Sequence, residues 1–210
     1  MTSAVAWLGR RWLALWLAGG AAYLVGAVAA PALAAAGAAP AARLVYSLYR
    51  PLCHQLPDHS WFLFGPRAHY DWPVLQPHTT APLDRPLAAL HQPVGDRAVG
   101  YQLAVCQRDL ATFAALWVAS LAWAATRRRH GVAPAVPGRW YLAALVPIAL
   151  DGFTQLFGWR ASTPLLRTLT GALFGAATAG FVLPLVEAAM AEPPWPPDRP
   201  ADRDGVDYRE

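Results

Sequence analysis

Cys106 and Asp109 stand three residues apart at the head of an apolar stretch, and a Cys53-His54 pair lies well upstream. Residues at i and i+3 share a face of a helix, so a thiolate and a carboxylate there can address one cation. Cys53 and His54, supplied from a separate segment, would complete a tetrahedral shell for zinc or another transition metal. Cys53, His54, Cys106 and Asp109 are therefore the candidate metal ligands. The same two cysteines can instead form one disulfide if both face an oxidising compartment. Spacing this sparse does not separate the two readings.

Asp151 is the second chemical feature. It lies inside another apolar run, with Thr154 and Gln155 at i+3 and i+4 on its face. A carboxylate at membrane depth costs a few kcal/mol even on lenient insertion scales and so marks a site. Asp151 and His54 are the candidate general acid/base groups. Gln55, Arg108, Thr154, Gln155 and Arg167 are the candidate substrate contacts, the two arginines suiting an anionic head group. The competing role is structural: Asp109 or Asp151 neutralises Arg108 or Arg167 inside the bundle. No Ser-x-x-Lys, Gly-x-Ser-x-Gly, His-Glu-x-x-His or Gly-rich phosphate loop names a reaction.

The elements that must position these groups are membrane helices. The 210 residues are 56% hydrophobic and 14% charged, well below the roughly 25% charged usual for soluble domains. All 17 basic residues are Arg, and the net charge of +4 points to no nucleic-acid partner. The expected partners are the lipid bilayer and other membrane proteins. Four runs approach or exceed the roughly 20 apolar residues needed to span a bilayer: 12–39, 103–126, 140–159 and 165–190. Arg10-Arg11, Arg127-Arg128-Arg129 and Arg139 gather on one side of these runs. The positive-inside rule then puts both termini in the cytoplasm of a multi-pass cell-membrane protein. A basic start and the Ala32-Leu33-Ala34 site also suit a cleaved secretory signal, but an uncharged run of 28 residues exceeds a signal core and favours a retained helix.

The expected fold is thus an all-α membrane protein, a bundle of about four transmembrane helices with a long exoplasmic loop. Residues 1–11 form a cytoplasmic N-terminus, 12–192 the helical domain with its loop at 40–102, and 193–210 a disordered acidic, Pro-rich tail. Beyond Arg43–Tyr49 the loop shows no helical period. In this topology Asp109 lies about 9 Å below Leu103 and Asp151 about 12 Å from Trp159, in the outer half of the bundle with Arg167 near the same level. Small residues at Ala18, Ala22, Gly26 and Ala30, and at Gly171 and Gly175, mark faces where helices can approach closely.

Read in order, Cys53-His54-Gln55-Leu56-Pro57, then His59-Ser60-Trp61-Phe62-Leu63-Phe64-Gly65, Cys106-Gln107-Arg108-Asp109 and Asp151-Gly152-Phe153-Thr154-Gln155, with Ser162, Arg167, Thr170 and Gly171 behind them, form a pattern. It resembles the prokaryotic membrane proteins grouped as Domain of Unknown Function 2085. The resemblance implies a multi-helix bundle with these positions at its centre and supplies no activity. Asp109 stands where the family pattern has a second Cys, and 66–100 looks like an insertion. That exchange removes a local dithiol pair but keeps an anionic ligand, so it argues against thioredoxin-like redox chemistry and leaves a cation site open. Three functions remain: a metal-binding accessory protein, a membrane enzyme acting on a lipid or quinone, and a small transporter or proton relay. A structural subunit with a Cys53–Cys106 disulfide is the plainest alternative.

Overall fold

The computed structural model describes residues 3–78, 93–131 and 133–191. Six helices carry the architecture: α1 (Ser3–Ala35), α2 (Ala39–Tyr49), the short α3 (Trp72–Leu75), α4 (Gln107–His130), α5 (Gly138–Leu156) and α6 (Pro164–Ala191). Three of them are long and apolar enough to cross a membrane, over Trp7–Ala35, Gln107–His130 and Pro164–Met190. The protein is thus a mostly helical membrane protein. The run at 140–159 is helical only as far as Leu156, and α5 has only 19 residues. At 1.5 Å per residue that is about 28 Å, the short end for a hydrocarbon core.

Helix α1 starts earlier than the uncharged run because the Arg10-Arg11 pair does not break it; Arg11 lies 5.6 Å over the Trp7 ring. It ends where Gly37 takes a left-handed backbone (φ 80°). There Ala38 N–H reaches Leu33 O at 2.9 Å and Gly37 N–H reaches Ala34 O at 3.0 Å, the paired bonds of a glycine-terminated helix. Helices α4 and α6 form the tightest pair. A side chain on Gly175 would collide with the Thr112 carbonyl, and a Cβ on Gly171 would sit 2.6 Å from the Arg108 carbonyl. The small residues thus bring two backbones together, as the sequence pattern suggested. On α1, Gly26 makes room for the Tyr49 ring and hydroxyl.

The loop is not structureless. It contains a three-stranded antiparallel sheet in the order β1–β3–β2: β1 Ser60–Leu63, β2 Gly95–Asp96 and β3 Gly100–Cys106. Strand β3 corrects the expected second span. Leu103, Ala104 and Val105 are buried as strand residues, and helix α4 begins only at Gln107. A run buried on both faces reads the same whether extended or helical. The turn into β3 is made by Gly100 (φ 81°) and by Asp96, whose Oδ1 accepts from Ala98 N–H at 2.7 Å and Val99 N–H at 3.1 Å. Phe62, Tyr70, Leu75, Val94 and Val99 form the small core of this cap. A second core joins Ala27 and Ala30 of α1 to Tyr46, Tyr49, Cys53, Ala104 and Val105, docking the cap on the bundle. At the far end Arg127 pairs with Glu187, tying α4 to α6. The acidic tail expected at 193–210 lies outside the described residues.

Candidate functional site

Cys106 occupies the junction between β3 and α4. It is the N-cap of α4, with Asp109 N–H directed to its Sγ at 3.5 Å. Cys53 follows α2 and is held from below: its own N–H donates to Tyr49 O at 3.0 Å, and its Sγ accepts from Cys106 N–H at 3.2 Å and Gln55 N–H at 3.5 Å. The donor atoms of Cys53, Cys106 and Asp109 all lie within 4.8 Å of one another. Both cysteines are free thiols. The Cys53 thiol is pushed far above the ordinary thiol value, first by its side-chain hydrogen bond with Cys106, then by burial and the Asp109 charge. A metal would displace that proton, because only the thiolate ligates. His54 lies outside this trio; it is exposed and lines the adjoining cavity.

Asp109 therefore sits in the first turn of α4, not 9 Å inside a span. Its place at the helix start, and not within the span, lowers the membrane cost inferred from sequence, and the positive end of the helix dipole favours its carboxylate further. Asp151 is different. It is the only buried residue of α5 and is 1% exposed. Its oxygens receive Arg108 of α4, Arg160 Nη2 at 2.5 Å, Ser162 Oγ at 3.0 Å and Gln155 Nε2 at 3.3 Å. Arg160 is a partner that sequence reasoning missed. The signal was Gly158, whose left-handed backbone (φ 69°) turns the chain back after α5 and returns Arg160 to a residue nine positions earlier.

Arg167, in the first turn of α6, does not pair with either carboxylate. Its Nη1 donates to Gln107 Oε1 at 3.1 Å and to the Asp58 carbonyl at 3.3 Å. Gln55 is fully buried and adopts a left-handed backbone (φ 54°). Its amide donates to the carbonyls of Tyr46 at 2.9 Å and Ala104 at 3.0 Å, which ties α2 to β3. Gln102 answers from β3, its Nε2 donating to Gln55 O at 2.7 Å. Thr154 turns its hydroxyl to the carbonyl of Leu150 at 2.7 Å. A cavity of about 180 Å³ connects the two polar groups; its walls include Cys53, His54, His59, Cys106, Arg108, Asp109, Gln155 and Arg167. His59, unremarked as a ligand in the sequence, is pushed below the usual histidine value by burial, with Arg167 and Arg108 adding to the effect against the opposing charge of Asp58. A larger groove of about 300 Å³ between α1 and α4 is walled by Leu15, Trp16, Phe113 and Trp117 and offers almost no polar chemistry.

Fold and site together define a helical membrane protein with a polar centre under a small β cap. Residues 97–181 match the family described as predicted membrane protein, Domain of Unknown Function 2085, so the resemblance seen in the motifs holds across β3, α4, α5 and most of α6. The chain is also similar to an uncharacterized protein of Methanocaldococcus jannaschii, 27% identical over 142 residues and covering 67% of each chain. No solved structure matches it.

Proposed function

We propose that this membrane protein binds a transition metal of the zinc class through Cys53, Cys106 and Asp109, on the exoplasmic side of a cell membrane with both termini in the cytoplasm. One observation carries the reading. Three donor atoms from segments more than fifty positions apart in the chain meet within 4.8 Å. Three protein ligands leave the fourth tetrahedral position open, and the cavity lies beside it. Sites of that kind serve exchange or chemistry more readily than sites closed by four protein ligands. His54, exposed beside the cavity, is the natural fourth ligand if its ring turns inward.

The orientation is supported by where the arginines fall. Arg11, Arg127 and Arg139 all lie over tryptophan rings of the helices, Trp7, Trp123 and Trp140, at helix ends away from the cap. The enzyme reading, with Asp151 as general acid/base, is less well supported because that carboxylate is already engaged by two guanidinium groups and a hydroxyl. The disulfide reading shares the same sulfur proximity.

Metal analysis of protein purified in detergent without an affinity metal separates these. Wild type is expected to retain about one equivalent of zinc or a similar ion, and Cys106→Ala to retain far less. Equal, negligible content in both would end the proposal, and thiol titration of the same samples would reveal a disulfide.

A further inference from the structure

We propose that the cavity beside the thiols is a binding site for a phosphoryl group, held chiefly by Arg167. This inference goes beyond the metal reading and stands on different atoms. Arg167 is 5% exposed. Both of its side-chain hydrogen bonds leave from Nη1 and end on neutral oxygens, those of Gln107 and the Asp58 backbone. Its Nε is buried without any partner. Among the described residues no carboxylate lies within ion-pair distance of it: Asp151 is taken by Arg108 and Arg160, and the Asp58 carboxylate stands 3.7 Å from His59. Neutral acceptors offset a buried guanidinium charge only in part, and the Asp58 carboxylate acts on it through space without forming an ion pair, so an anion is favoured at this point.

The cavity wall shows what kind of anion. Arg108 lines it too, and its Nε is likewise buried and unpartnered, although its Nη2 is committed to Asp151. His59 lines the same space and offers a further ring donor, while the Gln155 amide on its wall is already committed to Asp151. Donors converging from several directions suit a tetrahedral oxyanion with three or four oxygens better than a planar carboxylate, and guanidinium forks match phosphate geometry. At about 180 Å³ the space falls below the roughly 300 Å³ at which drug-sized pockets begin, so it admits a head group or a free ion and not a whole lipid. The first turns of α4 and α6 both belong to this end of the bundle, and their dipoles add to the positive potential. Asp109 is the one carboxylate lining the cavity among the described residues, and its charge turns an anion toward Arg167 and His59.

The phosphoryl group can come from a phospholipid or from solution. Full-length protein in phosphatidylcholine nanodiscs is titrated with inorganic phosphate in one arm. In the other, the nanodiscs contain phosphatidic acid, and the melting temperature is read. A response in the first arm assigns a free ion; a response only in the second assigns a lipid monoester. Silence in both overturns the proposal. Arg167→Gln is expected to weaken the response at least about tenfold, and His59→Gln to weaken it less; Arg128→Gln, exposed at the far end of α4, serves as the charge control. Equal binding by wild type and Arg167→Gln would also overturn it. If Arg167→Gln does not fold, the His59→Gln response decides, unchanged binding being the adverse result. Phosphate binding that persists in Cys106→Ala shows the anion site to be independent of the metal, so failure of one reading does not carry the other with it.

Discussion

Asp109 and Asp151 are the same side chain in the same polar centre, yet their surroundings differ. Asp151, at the floor, is saturated: two guanidiniums, a hydroxyl and an amide surround it, and almost none of it is exposed. Asp109, at the lip, has no arginine partner among the described residues and shares its space with two sulfurs. A carboxylate saturated by guanidiniums holds helices together, whereas one whose neighbours are thiols can take a cation as the thiol protons leave. The comparison teaches that depth alone does not mark a functional acid. What matters is whether the bonding capacity of the group has already been used.

The sharpest way to break the comparison is to delete the floor. Asp151→Ala would leave Arg108 and Arg160 without their anion, and losing one partner of a buried pair costs about 3–5 kcal/mol. Because Asp151 is the one buried residue of α5, the loss should also free that helix from the bundle. Thermal unfolding in detergent, together with hydrogen exchange of α5, would measure both. A change below about 1 kcal/mol would mean that the ion cluster is not what anchors α5. A smaller loss, about 1–3 kcal/mol, is expected from Gly175→Ala, where a methyl group drives α6 away from the Thr112 carbonyl. That variant should lower the melting temperature without emptying the proposed metal site, since Cys53, Cys106 and Asp109 all lie outside α6.

These two variants also show what the sequence could and could not tell. The close approach at Gly171 and Gly175 was legible, because small residues four apart define a helix face without further information. Of the four ligands nominated from sequence, Cys53, Cys106 and Asp109 meet and His54 does not, because adjacency to Cys53 in the chain does not fix which way its side chain turns. The β cap was not. Leu103-Ala104-Val105 is apolar whether it continues a helix or runs as a buried strand, and only pairing with Ser60–Leu63, some forty residues away, selects the strand. Nor was the Arg160 contact visible, because it depends on a reversal at Gly158 that no periodicity encodes. The family pattern pointed to Gln55 as a central residue. Its bonds to Tyr46 and Ala104 explain that centrality as positioning of the Cys53 turn.

At the lip, stability and binding should separate. Asp109→Asn removes a carboxylate from the first turn of α4, worth about 0.3–1 kcal/mol through the helix dipole. The fold should survive with a melting temperature near that of wild type, while metal content falls by about tenfold or more. The opposite substitution at the floor, Asp151→Asn, should lower stability more than it lowers metal content. Stability losses of equal size in the two variants would erase the distinction between lip and floor, whatever the metal content proved to be.

The smallest effect concerns His59, which lies between the two regions. Burial lowers its pKa in the folded protein, Asp58 opposes that, and the neighbouring Arg167, Arg108 and His69 push the same way as burial. The unfolded chain therefore binds the proton more readily than the folded one. The sign follows: the folded state is fully favoured above the unfolded histidine value of 6.5 and loses stability as pH falls from there toward the lower folded value. The loss should be small beside those of the carboxylate variants, because His59 is only partly buried and solvent screens the charges around it. Unfolding midpoints measured between neutral and mildly acidic pH, wild type against His59→Gln, isolate this contribution from that of the carboxylates. A slope of unchanged size in His59→Gln would place the proton-linked group elsewhere. A slope in wild type that flattens when phosphate is present would link His59 to the anion held by Arg167, since an anion beside the ring raises its folded pKa toward the unfolded value.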